Sequence, residues 1–364
     1  MMERVVMKGC EAIAEAAIRA GCRFFAGYPI TPQNEVPEYF SRKMPQLGGV
    51  YLQGESETAS AAMLYGAGCT GIRAMTSSSS CGISLMSEAI AWMAGANLPV
   101  VICNVMRGGP GIGSIQPSQQ DYFQATKASG NGGFRMLVLA PSTLQEAVDM
   151  VYEAFDLAQK YKNPVLVLCD GFTGAMMEPV VLPEARSDEF LAAERKANES
   201  WAATGRKGQA ERHMLGCGRK PGMPFMPLEE KNKIDYAMYE SWKTEEVDYE
   251  LYQTEDAELI ITAYGVTGRI CRSAVDLLRK EGYKVGLLRP KKIHPFPEIA
   301  FEQLDYSRLR GILSCEMSIP PQYYFDVDAV VRRRTPIATC LRSGGEIISR
   351  NAIIEEARKL YGAK

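Results

Sequence analysis

The chain has 364 residues, 46% of them hydrophobic and 23% charged, with a formal net charge of −2, the profile of a globular protein of two or three domains. That balance, without a face of Lys and Arg interleaved with aromatics, excludes nucleic acid as an expected partner, and Arg332-Arg333-Arg334 reads as a solvated basic run. No apolar stretch approaches the roughly 18 residues of a membrane span, and Met1-Met2-Glu3-Arg4-Val5-Val6 lacks a long apolar core, so a cytoplasmic protein without membrane contact is expected.

Along the chain, Glu11 to Ala20 places Ile13, Ala16, Ala17 and Ala20 on one helical face, with Gly21 as its stop. Phe24-Phe25-Ala26 reads as a strand, and Val50-Tyr51-Leu52, Ala74-Met75, Pro99 to Val105, Met136 to Leu139 and Pro164 to Leu168 repeat that role with helices between them. The best-marked helix begins at Thr143, whose hydroxyl can cap while Glu146 reaches back, and continues through Ala147, Val148, Val151, Ala154 and Phe155. Helices alternating with apolar strands predict an α/β domain with a doubly wound parallel sheet.

From about Glu178 to Asp256 the sequence becomes charged and rich in Pro and Gly, with few periodic apolar positions, and reads as a long connection wrapping over a neighbour. A second α/β unit follows. It has strands at Glu258 to Gly265, Val285 to Leu288, Gly311 to Cys315 and Ile337 to Leu341, an amphipathic helix from Arg269 to Lys280, and a closing helix from Ile353. The expected division is therefore 1–180, an extended connection over 181–256, and a smaller domain over 257–364.

The ten cysteines are scattered singly, several in apolar strand-like runs, as suits reduced thiols acting as small hydrophobes. No Cys-x-x-Cys occurs, so an iron-sulfur cluster held by this chain alone is not expected. His213 and His294 are the only histidines and neither lies in a metal-ligand spacing, so no metal site is expected.

Three polar segments each follow a strand: Tyr28-Pro29-Ile30-Thr31-Pro32, Gly54-Glu55-Ser56-Glu57-Thr58-Ala59-Ser60-Ala61-Ala62, and Arg107-Gly108-Gly109-Pro110-Gly111. In open parallel sheets ligands bind at that edge, and the small residues after Glu57 let something pack close to a carboxylate. Taken alone, Glu57 complements a helix dipole, Thr31 is a turn residue between prolines, and Arg107 is either a surface arginine or a planar group suited to bidentate capture of a carboxylate. Gly108 to Gly113 matches neither the P-loop nor the dinucleotide fingerprint.

Tyr28-Pro29-Ile30-Thr31-Pro32-Gln33, Glu55-Ser56-Glu57-Thr58-Ala59, Thr76-Ser77-Ser78, Ser84-Leu85-Met86-Ser87-Glu88 and Arg107-Gly108-Gly109-Pro110 together resemble the alpha subunit of the 2-oxoacid:ferredoxin oxidoreductases. Ile115 to Lys127 resembles in particular the branched-chain form of that family. The resemblance implies a thiamine diphosphate pyrimidine-binding domain, followed by a smaller domain like the transketolase C-terminal domain. It implies that Glu57 bonds the pyrimidine nitrogen opposite the amine and works as an acid-base group through the cofactor, that Tyr28, Pro29, Ile30 and Thr31 lie against the cofactor, and that Thr31 and Arg107 position the oxoacid.

The same resemblance implies coenzyme A-dependent oxidative decarboxylation of a 2-oxoacid, the branched-chain 3-methyl-2-oxobutanoate, with reduction of ferredoxin. Family members hold the diphosphate and Mg with Gly-Asp-Gly and a later Asn, whereas this chain has Cys169-Asp170-Gly171, and Asn198 stands in a charged run that marks the spacing as chance. The diphosphate and Mg are therefore expected on a beta subunit, and the iron-sulfur clusters on that partner or on a gamma or ferredoxin-like delta subunit. Cys81 replaces a common proline and Asn131 a common histidine of the branched-chain form, which leaves a 2-oxoglutarate enzyme as the alternative substrate class. A non-catalytic scaffold of the same fold is the alternative from another class. Arg289 to Pro297 resembles an interdomain or interchain segment of the family, and by itself reads as a proline-rich loop.

Overall fold

The computed structural model describes residues 4–127, 129–208, 212 and 227–362. Its first sheet runs, in spatial order, Lys292–His294, Leu137–Leu139, Val165–Asp170, Val100–Gly108, Ala74–Ser78, Phe24–Gly27 and Val50–Gln53. All neighbours are parallel except Lys292–His294, which joins antiparallel to Leu137–Leu139. Ser114–Pro117 turns back antiparallel onto the end of Val100–Gly108.

The central strand explains why the chain folds in layers. All nine residues of Val100–Gly108 are buried, as a parallel sheet covered on both faces requires. Val101, Cys103 and Val105 pack with the helices Gly9–Arg19 and Leu144–Tyr161, while Val100, Ile102 and Met106 pack with Glu57–Cys69 and Cys81–Gly95. The period-2 alternation of a strand assigns each side chain to its layer. Asn104 shares the second parity, which turns it toward the helices that begin at Glu57 and Cys81.

The second sheet runs Tyr249–Tyr252, Val285–Pro290, Leu259–Thr262, Gly311–Glu316 and Ile337–Leu341, parallel except for the first pair. Val266, Cys271, Ala274 and Val275 of the helix Gly265–Lys280 cover one face together with Ile353 and Ala357 of Arg350–Gly362. Ile260, Leu288 and Ile312 point the other way and join the core cluster that also holds Leu64, Met86 and Tyr122 of the first unit. Tyr122, Tyr264 and Tyr323 meet there with ring centroids 5.4–5.7 Å apart. Such pairs add about 0.5–1.5 kcal/mol each beyond the area they bury.

The expected helices and strands of both units form close to their predicted bounds, and the Thr143 hydroxyl accepts from the Glu146 N–H at 3.1 Å. The carboxylate of Glu146 reaches one residue further back than a capping box would, bonding the N–H and hydroxyl of Ser142, both at 2.8 Å. The 181–256 segment differs from the long irregular connection read from the sequence. Helices Asp188–Asn198 and Leu228–Glu245 and the strand Tyr249–Tyr252 lie within it. They escaped notice because polar contacts anchor them: buried Arg73 bonds Glu194 at 2.7 Å and Asp156 at 2.6 Å, and Trp242 is the one fully buried aromatic of its helix. His213 and most of Gly205 to Pro227 lie outside the described residues. Arg4–Lys8 pairs antiparallel with Met177–Val181 as a separate ribbon. Among the described residues no helix is long and apolar enough to cross a membrane.

Candidate active site at the strand ends of the first sheet

Four neighbouring strands deliver the site from their carboxyl ends. Val100–Gly108 ends in Arg107, Ala74–Ser78 runs into the turn Ser79 to Gly82, Phe24–Gly27 into Tyr28 to Pro32, and Val50–Gln53 into Gly54 to Glu57. Glu57 is the first residue of its helix and only 7% exposed, behind Ser56, whose hydroxyl caps by accepting from Ala59 N–H at 3.1 Å. A Cβ on Gly82 would stand 2.0 Å from Ser78 Oγ, 2.9 Å from Glu57 Oε1 and 3.0 Å from Glu57 Cγ. Only a glycine leaves that approach open, so the backbone of the second helix start lies flat against the carboxylate.

The same turn reaches Arg107 at its other side. Arg107 is also 7% exposed. Its Nη1 donates to the Thr31 carbonyl at 3.0 Å and its Nη2 to Cys81 Sγ at 3.0 Å, while Nε is buried without a partner. The Thr31 hydroxyl accepts from Asn34 Nδ2 at 3.3 Å, which leaves its own proton free to donate. The hydroxyls of Ser78 and Ser79 are fully buried and also unpartnered. Buried polar groups are ordinarily satisfied, and three such atoms lie in and behind this one turn.

Ser80 holds this turn in place. Its φ of 37° lies in the left-handed region that disfavours serine. Its N–H bonds Asn104 Oδ1 at 3.0 Å, and its hydroxyl donates to Asp121 Oδ2 at 2.6 Å and accepts from Arg107 N–H at 3.0 Å. Asn104 Nδ2 closes the network on Asp121 at 2.9 Å. Burial pushes the Asp121 carboxyl above its usual range, against these hydrogen bonds and the Arg107 charge.

The structure thus brings Glu57, Arg107 and Thr31 to one edge around Ser78 to Gly82. Tyr28 and Pro29 are exposed beside them, Ile30 is half-buried, and the buried Gln33 ties this loop down through the Tyr28 carbonyl at 3.4 Å and the Ser77 hydroxyl. Asn104, Asp121 and Gly82 are site-forming residues that the sequence reading did not single out. A polar Asn inside the apolar run Val100 to Val105 was the available signal for the first.

Asp170 and Asn198 serve the fold. Asp170 Oδ1 accepts from the N–H groups of Phe172 and Thr173 at 2.9 and 3.0 Å, and burial raises its carboxyl to about 6. Asn198 bonds the Gly71 carbonyl, Lys162 and Trp201. Asn131 lines a cavity of about 690 Å³ with Trp92, Phe134 and Tyr239. Trp92 is ten residues along the helix from Gly82, roughly 15 Å at 1.5 Å per residue, so that cavity is separate from the Glu57 edge.

The motif Ile115 to Lys127 acts as a joint between the units. Gln119, fully buried, donates to the Tyr264 carbonyl at 2.9 Å and accepts from the Thr267 hydroxyl at 2.7 Å and Met317 N–H at 3.0 Å. Arg289 to Pro297 is a second joint, with Lys292–His294 completing the edge of the first sheet.

A family profile described as pyruvate flavodoxin/ferredoxin oxidoreductase, thiamine diphosphate-binding, matches residues 15–248, and one described as pyruvate:ferredoxin oxidoreductase core domain II matches residues 257–353. The chain belongs to this family, the 2-oxoacid:ferredoxin oxidoreductases, and carries its thiamine diphosphate-binding domain. It is 41% identical over 361 residues to the ketoisovalerate oxidoreductase subunit VorB of Methanothermobacter thermautotrophicus, covering 99% of each chain. It is 32% identical to the 2-oxoglutarate synthase subunit KorA of Methanocaldococcus jannaschii, covering 94% of this chain and 95% of that one. In fold it is similar to the 2-oxoglutarate:ferredoxin oxidoreductase of Magnetococcus marinus, with a TM-score of 0.85 at 24% identity, covering 99% of this chain and 66% of that chain. A split-gene transketolase shares the fold at a TM-score of 0.58 and 13% identity.

Proposed function

We infer that this chain supplies the pyrimidine half of a thiamine diphosphate site in a complex that converts a branched-chain 2-oxoacid, 3-methyl-2-oxobutanoate, and coenzyme A to acyl-CoA and carbon dioxide, passing two electrons to ferredoxin. The observation that carries the reading is one turn serving two groups: Gly82 lies against Glu57 while Cys81 lies against Arg107. A buried carboxylate and a buried guanidinium with an unpaired Nε are thereby held on either side of five residues.

The residues fit the aminopyrimidine of thiamine diphosphate. Glu57 is a buried carboxylate with glycine backbone at its side, leaving room for a flat ring, and the unpaired Ser78 hydroxyl is in reach of the same space. When bound, the cofactor supplies the carbon nucleophile that attacks the oxo carbon and stores the electron pair left by carbon dioxide. Glu57 holds and returns a proton at the ring nitrogen. Arg107 binds the oxoacid carboxylate by charge-assisted hydrogen bonds. Thr31, with its free hydroxyl proton, orients the oxo group, and Tyr28, Pro29 and Ile30 wall the cofactor side of the loop.

Partner subunits complete the enzyme: a beta subunit for the diphosphate and Mg, and that subunit or a gamma or ferredoxin-like delta subunit for the iron-sulfur clusters. Support comes from the absence of Cys-x-x-Cys in the sequence and from the engagement of Asp170 in helix capping. The branched-chain substrate is favoured over 2-oxoglutarate by the higher identity to VorB than to KorA, and because a second carboxylate asks for a second cation beside Arg107.

The test is to purify the chain with the partners it retains and to assay coenzyme A-dependent viologen reduction with 3-methyl-2-oxobutanoate, 2-oxoglutarate and pyruvate. Preferential reduction with the branched-chain acid supports the reading. Preference for 2-oxoglutarate would reassign the substrate, and no turnover in a complex containing thiamine diphosphate and clusters would favour a scaffold.

A further inference from the structure

Any bidentate carboxylate on an arginine uses either the Nε and Nη2 pair or the Nη1 and Nη2 pair, because Nη1 is turned away from Nε–H by the side-chain stem. Both pairs include Nη2, each through a different one of its two N–H groups. In this structure Nη1 of Arg107 is held by the Thr31 carbonyl, Nε is buried and unpaired, and Nη2 carries Cys81 Sγ at 3.0 Å. We propose that Cys81 is a substrate-binding residue whose sulfur occupies the corner of Arg107 that a 2-oxoacid carboxylate takes, so that substrate binding covers the thiol.

This rests on the reading of Arg107 as the carboxylate-binding group, and it adds what that group does before substrate arrives. A buried guanidinium N–H with no acceptor is costly, and the sulfur supplies Nη2 with a weak acceptor that a carboxylate exceeds. Cys81 is also accessible enough to matter: of the nine described cysteines it alone is not buried. It begins the helix whose second residue, Gly82, touches Glu57, so an added group at Cys81 would fall between the carboxylate-binding and proton-holding sides of the site.

Two measurements on the assembled complex test it. Iodoacetamide labelling of Cys81, followed by peptide mass spectrometry, should slow by roughly ten-fold in 3-methyl-2-oxobutanoate at about ten times its Kd without coenzyme A, as mutually exclusive occupancy requires. Cys81→Ala should lower the KM for that acid by about three-fold, the loss of one weak competing hydrogen bond, with kcat retained, whereas Cys81→Leu should raise KM. An unchanged labelling rate with an oxoacid that the same complex turns over would overturn the role of Cys81 and leave the proposed function standing. Failure to turn over any oxoacid would instead strike the functional reading. If Cys81 resists the reagent in the resting complex, the opposed KM shifts of the two variants decide, and a fall in kcat alone in both would reduce the residue to a structural part.

Discussion

Arg289 grips Glu146 with both terminal nitrogens, Nη1 at 3.0 Å and Nη2 at 2.6 Å, joining a strand of the second sheet to the first turn of a helix on the first. Its Nε bonds Glu250 at 2.8 Å. Burial alone would raise the Glu146 carboxyl, but Arg289 and the Ser142 N–H and hydroxyl hold it below its usual range. Arg289→Met should therefore destabilise the chain by about 1.5–3 kcal/mol, since it leaves Glu146 with Ser142 as its partner while Glu250 keeps Arg272, and Glu146→Gln by less, since Arg289 keeps Glu250. Denaturant unfolding of both variants checks the order. The Glu146 contribution, present above its unfolded pKa, should disappear as pH falls through the depressed folded value.

Glu57→Gln should leave the complex assembled and lower turnover by about 10²-fold or more, the usual worth of a positioned acid-base group. Steady-state assay beside size-exclusion chromatography separates the two effects. Normal turnover in the variant would move the role to Glu55, the other carboxylate of the same segment, or end the reading of Glu57's edge as the cofactor site.

Gly82→Ala is a test of approach without charge. Its methyl would stand 2.0 Å from Ser78 Oγ and 2.9 Å from Glu57 Oε1, so Ser78 must move and Glu57 must give as well. A stability loss of about 1–3 kcal/mol is expected from the overpacking. Turnover should fall by more than that loss explains, read as kcat under conditions where the variant is fully folded.

His294 donates its Nδ1–H to the Met136 carbonyl at 2.8 Å. Burial lowers its pKa from 6.5 to about 4, against that carbonyl, and the Lys127 and Arg135 charges act in the same direction as burial. The unfolded chain then binds more protons between these values, so stability falls as pH drops from 6.5 toward 4, by at most about 3 kcal/mol for this group. Asp170, raised to about 6, works oppositely: its ionisation weakens the fold as pH rises through that value. Unfolding of His294→Asn and wild type at pH 7 and 4.5 should show the variant gaining on wild type in acid, and a constant difference would refute it.

Much of the frame was readable because the physics is local. The Thr143 cap, the parity of Val100 to Val105 and the apolar faces of Ile13 and Ala17 depend on neighbours in sequence. The helices Asp188–Asn198 and Leu228–Glu245 were not readable, because a buried Arg73 and a single Trp242 hold them and neither leaves a repeating apolar stripe. The partners of Gln119 lie some 150 and 200 residues along the chain at Thr267 and Met317, so its motif could be noticed but not its job. Within the site, family likeness pointed to Glu57, Thr31 and Arg107, whereas the turn that unites them, with Ser80 in a left-handed conformation, emerges only when Asn104 and Asp121 arrive from other strands and loops.

Lys292–His294 belongs in sequence to the second unit yet supplies the outermost strand of the first sheet. A chain cut between the two family profiles would leave Leu137–Leu139 as a bare β edge, open to pairing with whatever strand it next met. The two units are thus poor candidates for exchange as separate modules. Recombining this first unit with another protein's second unit would need to carry Arg289 to Pro297 along with it, or the hybrid would expose a strand that this chain keeps paired.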